Sequence, residues 1–226
     1  MSNSSKVKFE DLTQIDPITK AQKESFEAWD DGEHLILTGT AGTGKTYIAM
    51  YLALESVLER SGCYDKVIVL RSAVPVREIG YLPGKLEEKT DIFQSPYRAI
   101  CEELFDDKAV YNKLINSHQL QFETTSFIRG RTFDRCIIIV DEMQNLNFHE
   151  LDSIMTRAGE NCKLIFSGDH AQSDFTNEGE RNGLAKFLNI MYRMKNFTTV
   201  QFGWDDIVRS DIVRDYIMTK EMLGIH

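Results

Sequence analysis

The run LILTGTAGTGKTYIAM (residues 35–50) constrains this chain most, because it places three glycines and a Lys-Thr pair between an apolar segment and a helical pattern. Gly39, Gly42 and Gly44 allow a tight loop in which successive backbone N–H groups point inward. Such a loop at the start of a helix binds phosphate groups. Residues 39–46 match the pattern GxxxxGK[ST] at every fixed position. We therefore predict a P-loop.

Lys45 and Thr46 complete the P-loop and predict ATP and Mg²⁺ as ligands. We expect the Lys45 ammonium group to bridge the β- and γ-phosphates, and the Thr46 hydroxyl to bind Mg²⁺. The predicted contacts of the nucleotide with this segment are Gly39, Thr40, Ala41, Gly42, Thr43, Gly44, Lys45, Thr46 and Tyr47.

The run CIIIVDEMQN (residues 136–145) places two adjacent carboxylates directly after a strongly apolar segment. Asp141 and Glu142 should therefore emerge at the carboxyl end of a buried strand, which is the edge where open α/β sheets bind ligands. Asp141 is predicted to hold Mg²⁺ together with Thr46, partly through water. Glu142 is predicted to act as the general base that polarises the attacking water. The alternative is a pair of exposed charges at a strand end.

A third polar run, SGDHAQSD (residues 167–174), follows another apolar segment. Gln172 is predicted to orient the attacking water or to sense the γ-phosphate, as a neutral amide does in other P-loop enzymes. Asp169 is predicted to hold this loop or to contact the metal shell. A simple turn at the end of a strand is the alternative interpretation.

Apolar runs of strand length alternate with helical patterns, which is typical of an α/β domain with a mainly parallel sheet flanked by helices. The predicted strands are residues 34–38, 66–70, 136–140, 163–167 and 198–202, and the predicted helices are residues 45–60, 148–158, 181–194 and 210–222. We predict one domain over residues 13–226 and a loose segment over residues 1–12. Residues 72–90, with two prolines and two glycines, are predicted to form a long functional loop.

Composition and charge limit the remaining classes of function. The first dozen residues contain no apolar stretch, and no apolar run has the length that spans a bilayer, so we expect no membrane partner and a cytoplasmic location. Four cysteines without a CxxC spacing argue against a zinc site and fit reduced thiols. The net charge of −9 excludes a nucleic-acid footprint over the whole surface, so such a site needs a local cluster of Lys and Arg.

The runs GTAGTGKT, VDEMQN and SGDHAQSD resemble motifs I, II and III of superfamily 1 helicases. The chain resembles the PhoH family of predicted ATPases more closely, and this match extends to residues 70–97, 127–145 and 206–213. The resemblance covers nearly everything from Thr19 to Tyr216. It implies a single RecA-like domain with the ATP site at the carboxyl edge of its sheet.

The same resemblance implies two further site residues and an assembly. Gln22 stands where an upstream glutamine reads the adenine edge, and Arg209 stands where an arginine finger is expected. The resemblance also implies a homo-oligomer, a ring of six, in which Arg209 faces the ATP of a neighbouring copy. From the residues alone, the candidates for the arginine that stabilises the γ-phosphate are Arg129, Arg131 and Arg209, with Arg71 behind them. The place of Arg209 directly before a helical pattern favours it among these.

The leading prediction for function is an ATPase that acts as a helicase-like or translocase-like motor on RNA or single-stranded DNA. The main alternative is a P-loop kinase of a nucleoside or small metabolite, although the adjacent Asp141 and Glu142 favour a water over a substrate hydroxyl as the attacking group. A GTP switch would need an NKxD motif, and the nearest run, NKLI at residues 112–115, lacks the aspartate. A module that binds ATP without hydrolysing it is a further alternative.

Overall fold

A computed structural model describes residues 6–59, 62–72, 86–125, 128, 130–169 and 178–225, with the backbone alone for residues 86–91 and 178–182. These residues form one six-stranded sheet in the order β3-β2-β4-β5-β1-β6, in which every neighbouring pair of strands is parallel. The strands are β1 (His34–Gly39), β2 (Lys66–Arg71), β3 (Leu120–Thr124), β4 (Cys136–Val140), β5 (Cys162–Gly168) and β6 (Phe197–Phe202).

Helices cover both faces of the sheet. In chain order they are α1 (Lys20–Asp30), α2 (Lys45–Leu58), α3 (Leu86–Phe105), α4 (Val110–Asn116), α5 (Phe148–Met155), α6 (Glu178–Met191) and α7 (Asp211–Met222). The first four helices pack into the core on one face, whereas α5 and α6 pack on the other. The predicted RecA-like α/β domain is confirmed.

The central strands are apolar along their whole length because both of their faces are buried. In β4, Ile137 and Ile139 point into the core beneath α2, whereas the alternating Ile138 and Val140 point into the core beneath α5 and α6. The five predicted strands are confirmed to within one residue at each end. All parallel strands end at the same edge, so the carboxyl ends of β1, β2, β4 and β5 lie side by side there.

Several elements were not predicted from the sequence pattern. Strand β3 lies half-buried at the edge of the sheet and contains the polar residues Gln121, Glu123 and Thr124. It therefore has no apolar run from which a strand could be predicted. Helix α3 contains Pro96, which normally argues against the interior of a helix. This helix begins at Leu86, so the long loop predicted over residues 72–90 is wrong for its last five residues. Residues 73–85 of that loop lie outside the described part of the chain.

Residues 7–12 differ from the loose segment that was predicted over residues 1–12. The side chains of Val7 and Leu12 are buried in the core beneath α2. Gln119 fixes Val7 in both directions, because its Oε1 accepts from the Val7 N–H at 2.9 Å and its Nε2 donates to the Val7 carbonyl at 2.9 Å. Residues 1–5 lie outside the described residues.

The sulfur atoms of Cys136 and Cys162 lie 3.9 Å apart as free thiols on the neighbouring strands β4 and β5. Cys136 is buried and Cys162 is half-buried, which agrees with the packing role that their apolar surroundings indicate. Within the described part of the chain, no helix is both long enough and apolar enough to span a membrane.

Lys163 is a buried lysine at the amino end of β5, far from the edge where the loops meet. Its Nζ donates to the Trp29 carbonyl at 2.7 Å and lies 3.6 Å from the centroid of the Trp29 ring. Burial lowers the pKa of Lys163 from 10.5 to about 8, although the carboxylates of Asp30 and Glu33 partly oppose this shift. The folded state therefore releases this proton at a lower pH than the unfolded chain does.

We predict that Lys163 makes the free energy of unfolding rise with pH between about 8 and 10.5. In this range the unfolded chain binds more protons than the folded chain, so a rise in pH favours folding. Urea unfolding of wild type and Lys163→Met at about pH 7 and about pH 10 measures the effect. Wild type should gain stability relative to the variant at the higher pH. An equal gap at both pH values would show that Lys163 does not titrate in this way.

Candidate nucleotide-binding site

A cavity of about 890 Å³ opens at the carboxyl edge of the sheet. Its walls come from the loops that follow β1 and β4, from the carboxyl ends of β2 and β5 with Asp169, and from the facing sides of α2 and α3. This is the position at which open α/β sheets bind their ligands. Of the residues predicted for the site, the lining includes Gln22, Ala41, Gly42, Thr43, Gly44, Lys45, Thr46, Tyr47, Asp141, Glu142 and Arg209.

The P-loop has the backbone that its glycines predict. Gly39 has a φ of +116°, and a Cβ at this position would lie 2.0 Å from the Phe202 carbonyl oxygen, so only glycine fits beside β6. Gly44 adopts the left-handed conformation as the N-cap of α2. The first N–H groups of α2 therefore face the cavity, where they can bind an anion. The Thr43 hydroxyl closes the loop by donating to the Thr40 carbonyl at 2.9 Å.

Lys45 is the buried cation of the site. Its Nζ donates to the carbonyl oxygens of Gly39 and Thr40, both at 2.7 Å. Burial lowers the pKa of Lys45, whereas four carboxylates that surround it, those of Asp169, Glu142, Asp141 and Glu221, oppose this shift. Backbone carbonyls hold this ammonium group among several carboxylates, where it can bind a polyphosphate together with its metal ion.

Thr46 and Asp141 form a direct contact between the P-loop and the end of β4. The Thr46 hydroxyl donates to Asp141 Oδ1 at 3.0 Å, and the Tyr97 hydroxyl donates to Asp141 Oδ2 at 2.7 Å. Because the Thr46 hydroxyl uses its proton to donate to the carboxylate, the lone pairs of the hydroxyl oxygen can bind a cation. Hydroxyl and carboxylate oxygens are the ligands that suit Mg²⁺. The donor set of this pair therefore fits the predicted Mg²⁺.

Glu142 has a strained backbone, with φ 52° and ψ 45°, which is the left-handed region that side chains rarely adopt. Gln144 holds its carboxylate, since Gln144 Nε2 donates to Glu142 Oε2 at 2.5 Å. Burial and the charge of Asp141 raise the pKa of Glu142, whereas Arg71, the Gln144 hydrogen bond and Lys45 oppose this rise. Strain of this kind is often found at functional sites, and a raised carboxyl pKa suits a general base.

Gln144 also joins the loop after β4 to the loop after β5. Its Oε1 accepts from the Asp169 N–H at 3.1 Å, and the Asp169 side chain is buried at the cavity wall. The predicted role of Asp169, to hold this loop or to contact the metal shell, stays a prediction. Gln172 lies outside the described residues, so its predicted role stays a prediction.

Gln22, the predicted adenine contact, lies on α1 and lines the cavity, as does Tyr47 of α2. Gln22 is buried, and its Oε1 accepts from the Ile18 N–H at 2.8 Å. Its amide nitrogen lies 4.0 Å from the position that a Cβ on Gly44 would take, so the donor end of the amide is close to the P-loop. Tyr47 is half-buried and is hydrogen-bonded to Glu103 of α3, which also lines the cavity.

Arg209 lies against the P-loop of its own chain, and its predicted position opposite a neighbour's ATP stays a prediction. Its Cγ is 3.2 Å from the position that a Cβ on Gly42 would occupy. The adjacent Val208 N–H donates to the Gly42 carbonyl at 3.2 Å, which fixes this placement. Arg209 therefore lines the cavity in cis.

The other candidate arginines separate into different places. Arg71 is the last residue of β2 and lines the cavity, where its charge opposes the rise in the pKa of Glu142. Arg131 forms two hydrogen bonds with the Glu123 carboxylate, at 2.9 and 2.7 Å, on the edge strand β3. Arg129 lies outside the described residues. Among these three, Arg71 is the arginine that the described structure places in the site.

Sequence reasoning missed Tyr97 and Glu221 as parts of this site. Tyr97 is buried and contacts Asp141, although 44 residues separate the two in the chain. Glu221 lies on α7 and accepts from the Thr40 hydroxyl at 3.4 Å and from Trp204 Nε1 at 2.5 Å. Neither residue belongs to a short motif with a phosphate or metal spacing, so no local pattern identifies them.

The sequence profile of the family described as "PhoH-like protein" matches residues 14–220. A PhoH-like protein of Mycobacterium leprae is 31% identical over 207 residues, which are 90% of this chain and 57% of that protein. Protein PhoH2 of Bacillus subtilis is 40% identical over 154 residues, which are 66% of this chain and 35% of that protein. The chain therefore spans less than two thirds of the length of either relative.

Among solved structures, a Pif1 helicase from Candida albicans matches 93% of this chain and 44% of its own chain. The TM-score is 0.46 and the sequence identity is 16%. The family match, together with the P-loop at the carboxyl edge of a parallel sheet, classifies the molecule. The chain belongs to the PhoH-like protein family and is a P-loop NTPase.

Proposed function

We propose that this chain binds ATP with Mg²⁺ and hydrolyses it to ADP and phosphate. The observation that supports this proposal most is the convergence of Lys45, Asp141 and Glu142 on one cavity beside the P-loop. In the reaction, a water oxygen bonds to the γ-phosphorus, the bond to the β–γ bridging oxygen breaks, and ADP leaves. The water proton passes to a base.

The residues of the cavity divide these tasks. Lys45 and the N–H groups at the start of α2 bind the phosphates and stabilise the charge that develops on them. Thr46 and Asp141 hold Mg²⁺, which when bound neutralises charge on the β- and γ-phosphate oxygens. Glu142, oriented by Gln144, accepts the proton from the attacking water. Asp169 supports the loop beside them, and Gln172 is proposed to contact the water or the γ-phosphate.

Gln22 and Tyr47 are proposed to bind the adenosine end of ATP. The amide nitrogen of Gln22 is free of the Ile18 contact that its oxygen makes, so it can donate to the acceptor nitrogens of adenine. The Tyr47 ring also lines the cavity and offers a face on which a base can pack. These contacts suit a purine base, and the choice of adenine follows the family resemblance.

We further propose that ATP hydrolysis by this chain is coupled to RNA or single-stranded DNA, as the resemblance to superfamily 1 helicases suggests, in a cytoplasmic setting where its cysteines stay free. Arg131 and Arg193 lie near opposite edges of the sheet, since Arg131 contacts β3 and Arg193 precedes β6. These two arginines therefore do not form one patch. The polymer would instead contact a more local cluster of basic side chains.

Phosphate release from ATP and from GTP, each with and without single-stranded RNA and DNA, tests this function. We expect release from ATP in preference to GTP, and stimulation by at least one polymer. Equal rates with and without both polymers would contradict the coupling. A kinase would instead convert ATP to ADP without phosphate release and only when an acceptor is added.

We also propose that the chain forms a homo-oligomer, for which the ring of six implied by the family resemblance is the leading form. Helix α7 supports this, because none of its residues is buried and several apolar side chains on it and directly after it are exposed. Ile212 is 79% exposed, and Tyr216 and Leu223 are each 68% exposed. A second copy of the chain would cover this surface. The molar mass measured by light scattering should then fall when wild type is diluted. At equal concentration it should be lower for Ile212→Asp than for wild type.

Arg209 is proposed to contact the phosphates in cis, because it lies on the P-loop of its own chain. Arg209→Ala should then lower hydrolysis about tenfold, the scale of one charge-assisted hydrogen bond. Mixing Arg209→Ala protomers with Lys45→Ala protomers should restore no activity, since no mixed assembly combines an intact P-loop with its own arginine. Recovery of activity on mixing would instead place Arg209 in the neighbour's site.

A further inference from the structure

Tyr97 is a buried residue of α3 that reaches the end of β4. Its side chain is 1% exposed, and its hydroxyl donates to Asp141 Oδ2 at 2.7 Å. The other oxygen of the same carboxylate accepts from the Thr46 hydroxyl at 3.0 Å. The Asp141 carboxylate is thus held from two sides, once by the P-loop helix α2 and once by α3.

The packing of the Tyr97 ring fixes the direction of this hydrogen bond. The ring lies 5.6 Å from the Phe122 ring of β3, at an interplanar angle of 42°, and belongs to the core beneath α2. A phenol enclosed in this way has little freedom to turn to another acceptor. The position of α3 therefore determines the orientation of Asp141.

Helix α3 also contacts the nucleotide cavity at two other points. Arg71, at the end of β2, lies over the Phe93 ring of α3 at 5.6 Å. Glu103, two turns beyond Tyr97, is hydrogen-bonded to Tyr47 directly after the P-loop. Helix α3 thus contacts the carboxyl end of β2, the carboxylate proposed to bind the metal and the nucleotide cavity.

The geometry points to Tyr97 as a positioning residue that orients Asp141 for a Mg²⁺–nucleotide complex and so links α3 to occupancy of the metal site. This inference rests on the proposed function. Residues that hydrogen-bond a metal ligand orient that ligand, and their loss typically lowers metal affinity or activity by about 10- to 100-fold. Tyr97→Phe removes the hydroxyl alone and keeps the buried ring.

Tyr111 provides a matched control. It is also buried, at 2% exposure, and its hydroxyl donates to Gln94 Oε1 of α3 at 2.8 Å. Tyr111→Phe therefore removes a partly buried phenol hydrogen bond that α4 makes to α3, and this bond does not involve Asp141. Both variants should lose similar stability, so a difference between them in metal dependence reports on Asp141.

The experiment measures affinity for a fluorescent, non-hydrolysable ATP analogue in EDTA and across a Mg²⁺ titration. For Tyr97→Phe we expect the half-saturating Mg²⁺ concentration to rise about tenfold or more, with unchanged affinity in EDTA. Tyr111→Phe should match wild type in both measurements. If Tyr97→Phe matches wild type, or loses affinity equally in EDTA and in Mg²⁺, Tyr97 does not position Asp141 and the inference is wrong.

The same titration separates this inference from the proposed function. If the affinity of wild type does not depend on Mg²⁺, the proposed Mg²⁺–ATP site itself is contradicted.

Hydrogen exchange on wild type tests the inference without any variant. Adding Mg²⁺ to the complex with the analogue should protect the amides around Tyr97 beyond the protection that the analogue gives in EDTA, and equal protection would overturn the link between α3 and the metal site.

Discussion

Replacing Lys45 with alanine is expected to abolish ATP hydrolysis and to weaken ATP binding while the fold is retained. Lys45 is the buried cation of the cavity, and its ammonium group is the donor placed to stabilise charge on the β- and γ-phosphates. Loss of one such donor typically costs about 10² to 10³ in rate. Phosphate release, nucleotide affinity and the thermal unfolding midpoint of the variant measure these effects.

Lys20→Ala is the matched control, because it removes the same type of side chain from the surface of α1, where the Lys20 side chain is 89% exposed. It should behave as wild type in all three measurements. Normal turnover with normal affinity in Lys45→Ala would show that residues 39–46 do not bind the phosphates. A cooperative unfolding transition in the variant excludes loss of the fold as the cause.

Replacing Glu142 with glutamine should separate binding from chemistry. The amide keeps the size of the side chain and cannot accept the proton from the attacking water. Hydrolysis should fall roughly a hundredfold or more, which is the scale of losing a general base, while ATP affinity stays near that of wild type. Single-turnover phosphate release at saturating ATP, together with equilibrium binding, measures the two effects.

Glu27→Gln is the control for this change, since Glu27 lies on α1 with a side chain 63% exposed. It should leave hydrolysis unchanged. If Glu142→Gln binds ATP poorly but hydrolyses the bound ATP normally, Glu142 holds the metal or the loop, and another group accepts the proton. Gln144, which orients Glu142, would then have a purely structural role between the two loops.

The parts of the molecule that the sequence predicts well are those in which neighbouring residues perform the same task. The residues of β4 alternate between two buried faces, so their apolar run defines the strand to the residue. The P-loop is predictable for the same reason, since Gly39 and Gly44 take the positive φ angles that the loop needs within a few residues of Lys45.

The parts that the sequence does not predict depend on contacts between distant segments. Tyr97 lies on α3, which its internal proline makes hard to predict as a helix. No residue spacing indicates the hydrogen bond between Tyr97 and Asp141. Arg209 shows the same limit, because its motif indicates an arginine near a phosphate but not which copy of the chain supplies that phosphate. The hydrogen bond between Val208 and Gly42, on which the proposal of a cis position rests, becomes visible only in three dimensions.

The measurement that tests this account most directly is phosphate release from ATP by the purified chain, with Mg²⁺ and with EDTA, beside Glu142→Gln. The account predicts release over many turnovers with Mg²⁺ and loss of release in EDTA. In the variant, the rate should fall roughly a hundredfold or more. Release that persists undiminished in EDTA and in Glu142→Gln, or an absence of both ATP binding and release at every Mg²⁺ concentration, would contradict it.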